Sequence, residues 1–144
     1  AIVDCQVDPS SVEIELTESV AIENFALIEQ KLVALRRVGV AVAIDDFGTG
    51  YSSLSYLRRL DVDRLKIDRA FVSGEQCVAE DSGIARMVLQ LASQLGLQTI
   101  AEGIETEAQR QVLCELGCDE GQGYLFSRPL AADALLDFVK QGRA

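Results

Sequence analysis

The chain has 144 residues, which is enough for one domain with a sizeable core. Its formal charge of −10, from 13 basic and 23 acidic residues, opposes binding to a DNA or RNA polymer, because such binding relies on Lys and Arg at the phosphates. The sequence contains no His, so Ser-His-Asp, Cys-His and HExxH chemistries are excluded and any catalysis must use carboxylates, Lys, amides or metals.

The remaining composition indicates a reduced protein without a membrane segment. No apolar run reaches the roughly 18 residues expected of a membrane span, and the first residues show neither a basic region nor a long apolar region of a signal peptide. Four cysteines without CxxC spacing, in a chain that lacks His, favour free thiols over a zinc site. Since the sequence begins at Ala1 rather than Met, we expect a fragment of a longer chain.

Predicted strands and helices alternate along the chain. The predicted strands are Val12–Leu16, Val40–Asp45, Arg64–Ile67, Gln98–Glu102 and Asp119–Phe126. The helical patterns are Ile22–Val38, Tyr51–Leu60, Ile84–Leu95, Thr106–Leu116 and Ala131–Val139. This alternation predicts βα units and a parallel sheet. The absence of a GxGxxG turn favours a (β/α) barrel over a Rossmann-like sheet.

Three predicted helices end in a glycine that leads straight into a strand, namely Gly39, Gly96 and Gly117. We expect each glycine to adopt the left-handed conformation of a helix C-terminus. Five or six residues after these glycines come Asp45, Glu102 and Gln122. Polar side chains at the carboxyl ends of strands are where barrel enzymes build their sites.

The number of strands is too small for a complete barrel. An eight-stranded barrel needs about 250 residues, and five strands alone would leave open edges. We therefore expect either upstream sequence or a partner chain to complete the sheet.

The first two candidate site segments carry closely spaced carboxylates. Period-two alternation in the first strand places Glu13 and Glu15 on the face opposite its apolar residues, where Glu15 would point into a barrel; a solvated edge strand is the alternative. Asp45 and Asp46 follow a buried strand, and Mg²⁺ or Mn²⁺ would hold both carboxylates ionised. Alternatively, they form an Asp-rich turn that caps the next helix. Gly48 gives the following loop access to positive φ.

Three later segments add further candidates. Lys66 alternates with apolar neighbours and should point inward, unless it is an exposed strand lysine. Glu102 at a strand end is a candidate metal ligand and Glu105 lies just beyond it, although Glu105 or Thr106 could instead cap the next helix. The glycines that flank Gln122 would let a ligand approach its backbone, unless they form a plain turn.

Taken together, these segments resemble the EAL class of cyclic-di-GMP phosphodiesterase domains. The matching segments follow the family order over nearly the whole chain: Glu15–Glu18, Asp45–Leu54, Leu65–Asp68, Glu102–Glu105 and Gln122–Phe126. The resemblance implies an α/β fold, a (β/α)8 TIM-like barrel. Residues 1–144 would form a single partial EAL domain that supplies about five βα units.

The resemblance also implies a reaction and a set of site residues. The family hydrolyses cyclic-di-GMP to linear pGpG in bacterial signalling, with two Mg²⁺ or Mn²⁺ ions. The implied metal ligands are Glu15, Asp45, Asp46 and Glu102. The implied catalytic residues are Lys66, Glu102, Glu105 and Gln122, with Lys66 orienting the attacking water or a phosphate oxygen. Glu18 resembles the glutamate that anchors the loop Phe47–Ser53, a loop that contributes to dimerisation.

One departure from the family is that no Glu-Ala-Leu tripeptide occurs. Its glutamate and a metal-binding Asn are expected upstream of Ala1, so we expect this chain alone to be weakly active or inactive. Two alternatives are a noncatalytic module that binds cyclic-di-GMP or a protein partner, and a half-barrel that pairs with itself. The resemblance further implies a cytoplasmic domain, even in a membrane-anchored parent, joined to an upstream GGDEF, PAS or receiver domain.

Overall fold

The computed structural model describes residues 4–48, 57–72 and 83–140. Its elements in chain order are β1 (Glu13–Thr17), α1 (Glu18–Glu23), α2 (Phe25–Val38), β2 (Ala41–Phe47), β3 (Arg64–Ile67), α3 (Gly83–Leu95), β4 (Gln98–Ala101), α4 (Glu107–Glu115), β5 (Glu120–Gly121) and α5 (Ala132–Lys140). Two short 3₁₀ helices cover Pro9–Ser11 and Arg69–Phe71. The first six residues of the predicted helix Tyr51–Leu60 lie outside the described residues.

The five strands form one parallel sheet in the order β1-β2-β3-β4-β5. One face of this sheet packs on helices, and there the fully buried side chains include Ile44, Leu65 and Ile67. Leu32 of α2 and Leu113 of α4 belong to the same apolar core. The predicted parallel βα arrangement is therefore confirmed, and the other face of the sheet is left for the charged side chains that alternate with the core residues.

The three glycines that follow helices have the predicted left-handed conformation. Their φ angles are +88° at Gly39, +70° at Gly96 and +85° at Gly117. At Gly39 the backbone N–H donates to the carbonyl oxygens at the end of α2. Each glycine thus turns the chain from a helix into the next strand, in the region of backbone space that other residues avoid.

The prediction of one helix over Ile22–Val38 is wrong, because the structure has two helices there. Helix α1 starts at Glu18, and Asn24 interrupts the helical path with φ −127° and ψ 41°. The apolar pattern of α2 marks only the second helix, whereas α1 buries Ala21 together with Glu18. Among the described helices, none is both long and apolar enough to cross a bilayer.

The predicted strand Asp119–Phe126 is also wrong in length, because β5 has only two residues, Glu120 and Gly121. After β5 the backbone turns: Phe126 N–H donates to Gly123 O at 3.1 Å. Conversely, β2 continues beyond the predicted end at Asp45 to Phe47, and β4 ends at Ala101, one residue early. These shifts matter because Asp45 and Asp46 then lie within a strand, and Glu102 lies just past one.

Candidate active site

The centre of the candidate site is the ammonium group of Lys66. Its Nζ lies 2.7 Å from Glu15 Oε1, 3.1 Å from Asp45 Oδ1 and 2.7 Å from Glu102 Oε1. Lys66 is only 5% exposed. The structure therefore gathers carboxylates from β1, β2 and the end of β4 around one lysine of β3. Glu15 and Lys66 lie on the same face of the sheet, as predicted. Lys66 is buried, so the exposed-lysine alternative does not hold, whereas the Glu15 side chain, on β1 at the edge of the described sheet, is 51% exposed.

A second charged layer lies closer to the amino-terminal ends of the strands. Arg64, two residues before Lys66, contacts Glu13 at 3.3 Å and Glu120 at 3.2 Å. Its Nε also donates to Gln98 Oε1 at 3.1 Å. Arg64 is part-buried like its partner Glu13. Arg64 and Lys66 thus form two layers on one face, as period-two alternation requires.

A β-bulge at the end of β2 explains how two consecutive aspartates reach the site. The register between β2 and β3 shifts between Ile44 and Phe47, and Asp46 has a φ of +55°. Adjacent strand residues normally point to opposite faces, but a bulge inserts a residue and redirects a side chain. Asp is one of the few non-glycine residues that tolerate this left-handed conformation. The bulge therefore turns Asp46 toward the charges that also surround Asp45.

The electrostatics of the cluster favour cations. Burial, and then the negative charges of Asp45, Asp68 and Glu102, raise the pKa of Asp46 above its ordinary value. Burial acts to lower the pKa of Lys66, but hydrogen bonds from its ammonium to Glu102, Glu15 and Asp45 outweigh burial and raise it. Lys66 balances only one of the negative charges around it, so the site retains an excess of negative charge.

Asp68 is a contributor to the site that the sequence analysis did not single out. The charge of its carboxylate helps to raise the pKa of Asp46, and its Oδ1 accepts from Ala70 N–H at 2.8 Å. A signal was available, since Arg64, Lys66 and Asp68 follow one another at every second position.

Glu18, the first residue of α1, contacts the start of the loop that it is predicted to anchor. Its Oε2 accepts a hydrogen bond from Gly48 N–H at 3.1 Å, and the residue is 2% exposed. Gly48 has a φ of +97°, in agreement with the predicted need for positive φ. Residues 49–53 of the loop lie outside the described residues. The anchoring role of Glu18 beyond Gly48 stays a prediction.

The side chain of Glu105 is exposed just before α4. Thr106, not Glu105, caps α4: the Thr106 hydroxyl accepts from Gln109 N–H, and Gln109 Oε1 accepts from Thr106 N–H at 2.9 Å. The Glu105 backbone N–H donates to the same Gln109 oxygen at 2.8 Å, while its side chain is exposed. The helix-cap alternative is therefore confirmed at Thr106 and not at the Glu105 side chain.

Gln122 lies just past the end of β5. Its backbone pairs with Ala101 O and Ile104 N, and the residue is exposed. Gln122 lines a hollow of about 370 Å³ with Tyr124 and Arg128, whose guanidinium lies 4.7 Å from the Tyr124 ring centroid.

The glycines on either side of Gln122 pack closely against Ile104. A Cβ atom on Gly123 would overlap the backbone of Ile104, and a Cβ on Gly121 would lie 2.6 Å from Ile104 Cδ1. Ile104 is 2% exposed. These glycines allow the buried segment after β4 to pack closely inside the protein, and their role in letting a ligand approach Gln122 stays a prediction.

The donor set suits a hard divalent cation. Carboxylate oxygens are the ligands that Mg²⁺ and Mn²⁺ prefer, and Asp45 Oδ1 is buried without a well-formed hydrogen bond beyond its ion pair with Lys66. The arrangement differs from that of a metal centre, because no three acidic or cysteine side chains within residues 4–48, 57–72 and 83–140 are placed to hold a metal ion. Lys66 lies among the carboxylates instead.

Comparison with known proteins identifies the family. The family model described as the EAL domain matches residues 1–129. The chain belongs to the EAL domain family. Its five parallel strands with their helices are part of a (β/α)8 barrel. One curated relative of the EAL chain is the bifunctional diguanylate cyclase/cyclic di-GMP phosphodiesterase MucR of Pseudomonas aeruginosa, 44% identical over 132 residues, or 92% of this chain and 19% of MucR.

Solved EAL structures agree with this fold. The EAL domain of Mycobacterium smegmatis DcpA matches with a TM-score of 0.90 and 43% identity, over 99% of this chain and 64% of that one. BlrP1 of Klebsiella pneumoniae, solved in complex with manganese and cyclic di-GMP, matches with a TM-score of 0.76 and 38% identity, over 89% of this chain and 33% of its own. The chain spans about a fifth of the length of the curated relatives it matches.

Proposed function

We propose that this chain carries a large part of the active site of a metal-dependent phosphodiesterase that hydrolyses cyclic di-GMP to linear pGpG. The observation that carries the proposal is the convergence of Glu15, Asp45 and Glu102 on buried Lys66 at one edge of a parallel sheet. Active sites of (β/α) barrels lie at this edge. The phosphodiesterase name of MucR and the cyclic di-GMP bound to BlrP1 support the substrate.

Four carboxylates would hold Mg²⁺ or Mn²⁺: Glu15, Asp45, Asp46 and Glu102. The manganese bound to BlrP1 supports this choice of metal. When bound, such ions supply an activated water and neutralise charge on the phosphate in the transition state. The bulge at Asp46 gives the protein two adjacent carboxylates on one side of β2, which an ordinary strand could not provide.

Lys66 would act on the substrate as a positive group. Its raised pKa keeps the ammonium protonated, so it cannot serve as a general base at neutral pH. A protonated ammonium can hold a phosphate oxygen or orient the attacking water by donating hydrogen bonds. Glu102, whose Oε1 lies 2.7 Å from Lys66 Nζ, would accept a proton from that water.

The three remaining candidates would act at the edges of the site. Glu105 and Gln122 are exposed beyond the ends of β4 and β5, where they could position water on a substrate that covers the sheet edge. Glu18 would hold the loop at Gly48. We also propose a homodimer formed through the loop region, an upstream GGDEF, PAS or receiver domain, and a cytoplasmic location, where the nucleotide occurs.

The second candidate function is a noncatalytic module that binds cyclic di-GMP or a protein partner. Binding without turnover in the full-length parent would favour it. Retention of Glu15, Asp45, Asp46, Lys66 and Glu102 favours the enzyme.

The test is metal-dependent turnover. Cyclic di-GMP is incubated with Mn²⁺ and either this chain or its upstream-extended parent, and the products are separated by chromatography. We expect pGpG from the parent, little or none from this chain alone, and a loss of about a hundredfold in rate for Asp45→Asn, because an amide holds a divalent metal more weakly than a carboxylate does. A parent that binds the nucleotide but never forms pGpG would contradict the proposal.

A further inference from the structure

Lys66 Nζ lies at the point on which the carboxylates converge. Its distances to oxygens of Glu15, Asp45 and Glu102 are 2.7, 3.1 and 2.7 Å. A Mg²⁺ ion held by the same oxygens would need distances of about 2.0–2.1 Å, so the ion and the ammonium would require the same space. The described carboxylates are accordingly arranged around an ammonium and not around a metal position.

We propose that Lys66 is a resident counter-ion that competes with the divalent metal for Glu15, Asp45 and Glu102, and that metal loading moves its ammonium out of the cluster. The inference rests on the proposed function, because the metal is the one that the phosphodiesterase reaction would use.

Two features of the cluster support this exchange of the Lys66 ammonium for a metal ion. Without a cation, three carboxylates brought this close would repel one another, so the ammonium stabilises the metal-free protein. The same ammonium would repel an incoming divalent cation, and burial at 5% exposure leaves little water to screen that repulsion. Lysine carries its charge on a flexible four-carbon stem, which allows the head group to leave while the backbone of β3 stays in place.

The exchange would have a consequence for the reaction. In the metal-free state all three donor sites of the Lys66 ammonium face carboxylates of the protein. Once released by the metal, those donors would become available to a phosphate oxygen. The lysine would therefore bind substrate only in protein that has already bound metal, which links the order of the two binding events.

The first test uses the unaltered protein, because the sequence contains only three lysines: Lys31, Lys66 and Lys140. Lys31 and Lys140 are exposed on α2 and α5 and act as internal controls. An amine-acetylating reagent is applied with EDTA or with Mn²⁺, and each lysine is quantified by mass spectrometry. We expect Lys66 to react slowly in EDTA and about tenfold faster with Mn²⁺, equivalent to about 1.4 kcal/mol of lost ion pairing, while the two controls stay unchanged.

The second test compares Lys66→Met with a matched control, Arg64→Met. Both residues lie on the same face of β3, but Arg64 contacts Glu13 and Glu120 and none of the candidate metal ligands. Mn²⁺ binding is titrated by electron paramagnetic resonance after circular dichroism has shown that each variant is folded. We expect Lys66→Met to bind Mn²⁺ about tenfold tighter than the unaltered chain and Arg64→Met to bind it with unchanged affinity.

The outcomes separate this inference from the proposed function. If Mn²⁺ binds but Lys66 stays protected and Lys66→Met binds no tighter, the exchange is wrong and the metal site stands. If neither the unaltered chain nor Lys66→Met binds Mn²⁺, and the upstream-extended parent also fails to bind it, the metal site and the exchange are both wrong. If Lys66→Met does not fold, the acetylation result on the unaltered chain decides.

Discussion

At the scale of single residues, the pKa of Asp46 depends on its neighbours. Burial and the charges of Asp45, Asp68 and Glu102 raise its pKa, so ionised Asp46 destabilises the folded chain when no metal is present. Above the raised pKa that Asp46 has in the folded chain, its charge lowers the free energy of unfolding. Below the pKa that Asp46 has in the unfolded chain, this effect disappears, because Asp46 is protonated in both states.

The variant Asp46→Asn tests this sign. At pH 7 in EDTA, we expect Asp46→Asn to have a higher free energy of unfolding than the unaltered chain. As the pH is lowered through the acid range, Asp46 becomes protonated in the unaltered chain, so the part of this difference that depends on its charge should disappear. Urea unfolding at several pH values measures it. Because Asn also tolerates the φ of +55°, a gain that stays constant with pH would come from the backbone and would contradict the electrostatic account.

Glu18 permits a second prediction at this scale, with a matched pair of variants. Glu18→Gln keeps an oxygen that can accept from Gly48 N–H, whereas Glu18→Ala leaves that donor without its partner in a buried place. We expect Glu18→Ala to lower the free energy of unfolding by about 1–3 kcal/mol and Glu18→Gln by clearly less. Equal losses measured by urea unfolding would show that the hydrogen bond to Gly48 does not determine the stability here.

At the scale of elements, the short β5 and the segment after β4 depend on close glycine contacts. A Cβ on Gly123 would overlap the backbone of Ile104, whereas a Cβ on Gly83, the first residue of α3, would meet nothing within 4 Å. We expect Gly123→Ala to lower the free energy of unfolding by about 1–3 kcal/mol and the control Gly83→Ala to leave it unchanged or slightly higher. Thermal unfolding that ranks the two variants in the opposite order would refute this packing.

The sequence predicts elements well where one periodicity persists. Strand β3 has the predicted bounds, and alternation correctly directs Glu15 and Lys66 to one face. The turn after Gly121 could not be predicted, because its cause is the contact with Ile104, which is distant along the chain. The bulge at Asp46 was likewise hidden, since the register shift depends on how β2 pairs with β3.

At the scale of the whole molecule, the open sheet leaves much apolar surface exposed. Helix α5 contains no buried residue, and its Leu135, Leu136 and Val139 are about half exposed. Strand β1 has β2 as its only described neighbour, and β5 has only β4. The match covers 64% of the DcpA chain, so that EAL structure contains further residues that have no counterpart in this chain. We therefore expect an upstream-extended protein to have a higher midpoint temperature of thermal unfolding than these 144 residues alone.

The central claim is that the strand ends bring Glu15, Asp45, Asp46 and Glu102 into a divalent-metal site beside Lys66. The most direct measurement is anomalous diffraction from a crystal of the upstream-extended protein grown with Mn²⁺. The account predicts manganese peaks within ligand distance of these four carboxylates, about 2.0–2.4 Å, with Lys66 Nζ displaced from its position among them. Full manganese loading with no peak at these carboxylates would contradict it.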